Sequence, residues 1–148
     1  MNLIKALSEE VRRAIAGYKF EADKHVDKAF TVYEQHVPKS KLDNPRGAYH
    51  PLIAVALNSI EDDEQTLAEL GLTFAVYGES ETTWIDLLNA METVRLHLLE
   101  EQTLKKKYRL IKPLEIDIPE VQPAPFFYGL MTVRYWIYQP EERNGKNA

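Results

Sequence analysis

The feature that most constrains this chain is a change of hydrophobic period inside one stretch, Pro51 to Gln102. Its first arm, Pro51-Leu-Ile-Ala-Val-Ala-Leu-Asn-Ser-Ile60, is a nearly unbroken apolar run of strand length. Glu61-Asp-Asp-Glu-Gln65 follows, too charged to bury, so the chain has to turn in water there. In the second arm, Leu70, Leu72, Phe74 and Val76 fall on one face, with Glu69, Gly71, Thr73 and Ala75 on the other. That is the period of two of a half-buried antiparallel strand. From Thr83 to Gln102 the period lengthens: Trp84, Leu87, Leu88, Met91, Val94, Leu98 and Leu99 recur at helical steps. Ser80-Glu-Thr-Thr83 supplies residue types that cap a helix start, and Glu81 and Asp86 suit the positive end of its dipole. A hairpin followed by a helix able to lie on its apolar face is already a small core.

The flanking sequence extends that core. Asn2 to about Ala16 reads as an amphipathic helix with Leu3, Leu7, Val11 and Ala14 or Ile15 in its stripe, stopped at Gly17. Lys19 to Lys28 is polar and reads as an irregular connection. Ala29 to His36 is β-branched and aromatic enough for a strand. Val37 to His50 is a long loop with two prolines, a glycine and local positive charge. Lys105-Lys-Lys107 suits the negative end of the second helix. Tyr108 to Ile118 is a strand pattern that Pro113 demotes to an edge or a break. Pro119 to Pro125 is a proline-rich connection. Phe126 to Tyr138 is apolar on both parities, and a strand of that kind is buried on both faces, by helices on one side and a second subunit on the other. The expected element order is α-β-β-β-α-β-β. The fold class is α+β, a mostly antiparallel sheet of about five strands with two main helices packed on one face. Residues 1–138 are expected to form one domain, and 139–148 a flexible tail.

Composition excludes several function classes. The 148 residues are 45% hydrophobic and 28% charged, with no cysteine and a net charge of −5. There is no thiolate nucleophile or cysteine metal site, and the acidic balance argues against general nucleic-acid binding. No apolar run approaches a membrane span, and the charged amino terminus lacks a signal-peptide core. Both suit the cytoplasm. The four histidines form no metal-binding pair, and the acidic turn lacks the glycine and spacing of a calcium loop. No serine sits in a nucleophile elbow, and no glycine-rich phosphate loop exists. No enzyme activity, cofactor or metal is expected, nor a concave pocket with convergent titratable groups. Glu115 and Asp117 read as the wet side of their strand. Arg134, inside the aromatic last strand, is either a partly buried ion-pair partner or an interface residue.

The order of elements and two strand sequences resemble a known family. Tyr49-His-Pro-Leu-Ile-Ala-Val-Ala-Leu57 opens a strand before the acidic turn. Leu70-Gly-Leu-Thr-Phe-Ala-Val-Tyr-Gly-Glu79 runs straight into a helix, and Leu130-Met-Thr-Val-Arg-Tyr-Trp-Ile-Tyr138 closes the sheet. This is similar to the tail-terminator and tail-completion proteins of long-tailed phages and prophages, over about residues 1 to 138. The likeness rests on element order and strand character, and it departs at the Pro38–His50 loop and the Pro119–Pro125 segment. The resemblance implies a non-enzymatic virion protein. Copies form a ring, six in the family, that docks on the end of the tail tube, stops its polymerisation and offers a surface to the head–tail connector. The implied location is the cytoplasm during assembly and the virion tail afterwards. Tyr128, Arg134, Trp136 and Tyr138 then stand as subunit-interface candidates. Glu61, Asp62, Asp63 and Glu64 in the acidic turn, with Lys39, Lys41 and Arg46 in the long loop, stand as arms for the tube or a neighbour. Another neck or connector protein, or an unrelated protein-interaction domain forming a homodimer, is the alternative.

Overall fold

The computed structural model describes residues 2–21, 29–38 and 51–138. Helix α1 (Asn2–Ile15) is followed by strands β1 (Thr31–Glu34), β2 (Leu52–Asp62) and β3 (Thr66–Tyr77). Helix α2 (Thr83–Glu100) leads to the short β4 (Thr103–Leu104), then β5 (Tyr108–Asp117) and β6 (Phe126–Ile137). They form one sheet in the order β1-β2-β3-β6-β5-β4. The α+β class holds, with two corrections. The sheet has six strands rather than about five, because Thr103–Leu104 pairs with β5 and adds an element after α2. The sheet is also mixed, since β1 runs parallel to β2 while the other pairs are antiparallel. A parallel pair needs a crossover of about a dozen residues or more, and the stretch 35–51 supplies it.

The period-two alternation of β3 becomes complete burial of one side. Thr66, Ala68, Leu70, Leu72, Phe74 and Val76 are buried, while every second residue between them stays half-exposed. Register carries that side across the sheet: Phe74 faces Ile53 and Leu72 faces Val55 on β2, while Leu72 faces Met131 and Leu70 faces Val133 on β6. Both helices lie on this side, α1 against β1 and β2, α2 against β3 and β6, and they touch each other. Leu3, Leu7 and Val11 of α1 and Leu87, Met91, Val94 and Leu98 of α2 close the core.

The α2 stripe is narrower than its sequence suggests. Trp84 and Leu88, expected in the core, lie on the helix flank at 48% and 39% exposure, because the buried arc is centred on Leu87, Ala90, Met91, Val94 and Leu98. Its start also differs: Thr82 at the cap position makes no side-chain capping bond, and the Ser80 hydroxyl instead accepts from the Thr82 N–H. Close packing of α2 on β6 depends on Gly129, where a Cβ would come within 2.6 Å of Met91 Sδ and 2.8 Å of Ile118 Cδ1.

The two helices are tied by polar groups that sequence reasoning did not single out as partners. The buried Asp86 carboxylate accepts from the Tyr18 hydroxyl at 2.8 Å and from the Glu21 N–H at 2.7 Å, anchoring the segment after α1. Burial, then the hydrogen bond to Asp86, pushes Tyr18 ionisation well above the ordinary tyrosine range. His97 of α2 meets Glu10 of α1 at 2.8 Å. Burial pushes Glu10 up, but hydrogen bonds from His97 and Arg13 outweigh it and hold the carboxyl below the usual carboxylate value.

Candidate interaction surface

Among the described residues, the other side of the sheet carries no helix. From β6 it presents Tyr128, Leu130, Thr132, Arg134 and Trp136, whose partners across on β3 are Ala75, Thr73, Gly71, Glu69 and Leu67. In the single chain Leu130 and Trp136 are 39% and 37% exposed, so the second cover expected for β6 does not come from the described residues of the chain itself. The same parity that buries Met131, Val133 and Tyr135 under α2 sends these residues outward.

Arg134 sits at the centre of this face and is ion-paired within the chain. Its Nε lies 3.2 Å from Glu69 on β3 and its Nη1 3.6 Å from Glu115 on β5, one carboxylate from each flanking strand. Glu115 is indeed on the wet side, as its parity indicated. The face is thus divided into Tyr128 and Leu130 at one end, a charged belt in the middle, and Leu67 and Trp136 at the other. Tyr128 and Trp136 are roughly 26 Å apart along the strand at about 3.3 Å per residue, so they do not share one contact point.

The acidic turn sits at the Trp136 end. Glu61 and Asp62 finish β2, and Asp62 accepts from the Thr66 hydroxyl at 2.6 Å, which fastens the hairpin tip. Glu64 and Gln65 line one side of an open cavity of about 570 Å3, with Trp136 and Tyr138 also in its wall. Tyr138 follows β6 and is held by its N–H donating to the Lys107 carbonyl at 2.8 Å. Lys39, Lys41 and Arg46 lie outside the described residues, as does the proposed tail 139–148.

The remaining wall of the cavity comes from residues the sequence reading placed elsewhere. Lys105-Lys-Lys107 does not extend the end of α2; the helix stops at Glu100 and the lysines form the β4–β5 turn. Lys105 and Lys106 have φ of 52° and 58°, left-handed values that a turn of this kind usually fills with asparagine or glycine. Lys105 turns back to Glu9 of α1 at 2.9 Å. Lys106, Lys107 and Arg109 line the cavity, and Arg109 is the β5 partner of Trp136. A concave site with charged groups is thus present where none was expected. The visible signal was the lysine run itself, which only the short β4 converts from a helix end into a turn. Among the described residues, no group of three or more His, Asp or Glu side chains has a geometry that could hold a metal ion. No helix among them is long and apolar enough to cross a membrane.

The fold and this surface define a class: an α+β protein with a mixed six-stranded sheet that, among the described residues, has helices on one face and none on the other. No protein-family model and no curated protein sequence matches the chain. Among solved structures, a chain from the virion of a native gene transfer agent particle is similar at a TM-score of 0.45 with 14% identity, over 90% of this chain and 95% of that one.

Proposed function

We propose that this chain is a non-enzymatic, phage-like virion structural protein, and that it acts as a tail terminator. In this reading copies assemble into a ring on the end of a tail tube, stop its growth and present a surface for the head–tail connector. One observation carries the reading: a sheet whose outward face holds Tyr128, Leu130 and Trp136 while its two edges are formed by unlike strands, β1 and β4–β5. Aromatic residues on an uncovered face supply the residue types enriched at subunit contacts. Unlike edges suit head-to-tail contacts, which generate rings where the rotation closes. The resemblance of Leu70–Glu79 and Leu130–Tyr138 to the tail-terminator pattern supports the same assignment.

The test is mass by light scattering with negative-stain imaging, alone and after addition of tail tubes from the same source. Rings, or caps at one end of the tubes, are expected. A twofold dimer using the open face against itself, indifferent to tubes, would sink the reading and leave a protein-interaction domain.

A further inference from the structure

We propose that the cavity walled by Lys106, Lys107, Arg109, Trp136 and Tyr138 is a socket for the acidic turn of a second copy of this chain. The inference rests on the ring reading above and deepens it by assigning the contact between neighbours.

Charge is the first argument. In a chain of net charge −5, Lys106, Lys107 and Arg109 converge on one cavity and have no carboxylate within ion-pair distance among the described residues. Glu64 shares the wall without pairing to them, so the site keeps a positive surplus. Glu61 and Asp63 of the turn are exposed and have no cationic partner among the described residues, whereas Asp62 is occupied by Thr66. Cations and carboxylates within one chain are thus left unmatched at neighbouring positions.

Placement is the second argument. The register Thr66–Ile137–Tyr108 puts the acidic turn and the lysine turn at the same end of the sheet. They lie on opposite flanks, with β6 between them. The strands β3 and β5 are two spacings apart, roughly 10 Å, and although Glu64 shares the cavity wall, no ion pair joins the two turns among the described residues. Copies set side by side at one level bring the acidic flank of one to the basic flank of the next. That contact is heterologous, the kind a closed ring repeats. Trp136 and Tyr138, 37% and 67% exposed in the single chain, would be covered by the entering turn and shield the ion pairs from water, where a charge pair gains most. The consecutive left-handed lysines fit the same role, since such strain is retained where it places side chains for a purpose.

The experiment uses the full chain with two charge-reversed variants, K106E/K107E and E61K/D63K, each checked for unaltered thermal unfolding. Association is measured by sedimentation at low and high salt, and tube capping by negative stain. Wild type is expected to associate, more weakly as salt rises. Each variant alone is expected to associate at least about tenfold more weakly. Their equimolar mixture is expected to recover wild-type mass, because where the two variants alternate the reversed turn of one meets the reversed socket of the other, and the native turn meets the native socket, so every contact pairs opposite charges. The variant carrying all four changes is expected to recover it alone. Rings or tube caps that form equally well with both variants would overturn the socket and leave the ring reading standing. Wild type that stays monomeric at low salt and ignores tubes would overturn both. Binding of a single-stranded oligonucleotide that K106E/K107E abolishes, with mass unchanged, would assign the cavity to a nucleic acid and overturn the proposal.

Discussion

The two faces of this sheet are built from the same strands and obey opposite rules. Under the helices, Leu70, Leu72, Phe74, Met131, Val133 and Tyr135 are fully buried and touch α1, α2 or one another. One residue further along each strand, the outward face alternates small residues and threonines with aromatics, and crosses them with the Glu69–Arg134–Glu115 belt. The inner face is closed by this chain alone. The outer face is ion-paired in the polar middle and exposed at both apolar ends, so the single strand β6 presents a finished core face and an open face at once.

That contrast is easiest to break with a truncation to alanine on each face. Phe74→Ala is expected to lose about 3–5 kcal/mol of stability in urea unfolding, through lost transfer energy and a cavity. Leu130→Ala, on the open face, is expected to lose about 1–2 kcal/mol at most in the monomer, since the residue is already 39% exposed. Equal losses would mean that the outer face is covered in solution. Next in size, Gly129→Val is expected to cost about 1–3 kcal/mol, because the new side chain meets Met91 and Ile118 on the inner face. Asp86→Ala, which strands the Tyr18 hydroxyl and the Glu21 N–H, is expected to cost about 1–3 kcal/mol. Arg134→Met is expected to change monomer stability by less than about 1 kcal/mol, as exposed ion pairs do.

A pH series sharpens the same comparison. Glu10 titrates below the ordinary value of 4.5 in the folded protein. Its contribution is therefore present above that value and lost as the pH falls through the folded one. Glu10→Gln is expected to flatten the acid limb of the stability curve, read by urea unfolding across the acidic range. The smallest effect is expected at Tyr135, whose buried hydroxyl, like that of Ser8, finds no hydrogen-bond partner among the described residues. Tyr135→Phe is expected to be neutral or slightly stabilising, because it removes an unsatisfied polar group while keeping the ring.

Much of the inner architecture was legible residue by residue. The alternation at Leu70–Val76 named the buried parity of β3, and Leu3, Leu7 and Val11 named the face of α1. Pro113 announced the loss of regular pairing in β5, where the register with β6 shifts between Ile111 and Glu115. Elements of weak local signal were not legible. Two residues at Thr103–Leu104 are too short to show a period, so the lysines after them were read as a helix end. Parallel pairing of β1 leaves no trace in its own four residues, because strand direction is decided by partners distant in sequence. Trp84 and Leu88 were misplaced because apolar character fixes only that a helix has a stripe, not how wide an arc its neighbours cover.

The candidate surface divides in the same way. Trp136, Tyr138 and the acidic turn were legible as unusual residues, while their meeting with Lys106, Lys107 and Arg109 was not. What the sequence by itself determined is what periodicity and chemistry act on locally: which segments are strand or helix, which parity is buried, and where charge forces a turn. What only the tertiary structure decided is which strands neighbour one another, and hence that Arg134 falls between two carboxylates and the lysine turn beside Trp136. The physical reason is that local periods come from backbone geometry over a few residues, whereas strand order is a competition among long-range pairings that no single segment encodes.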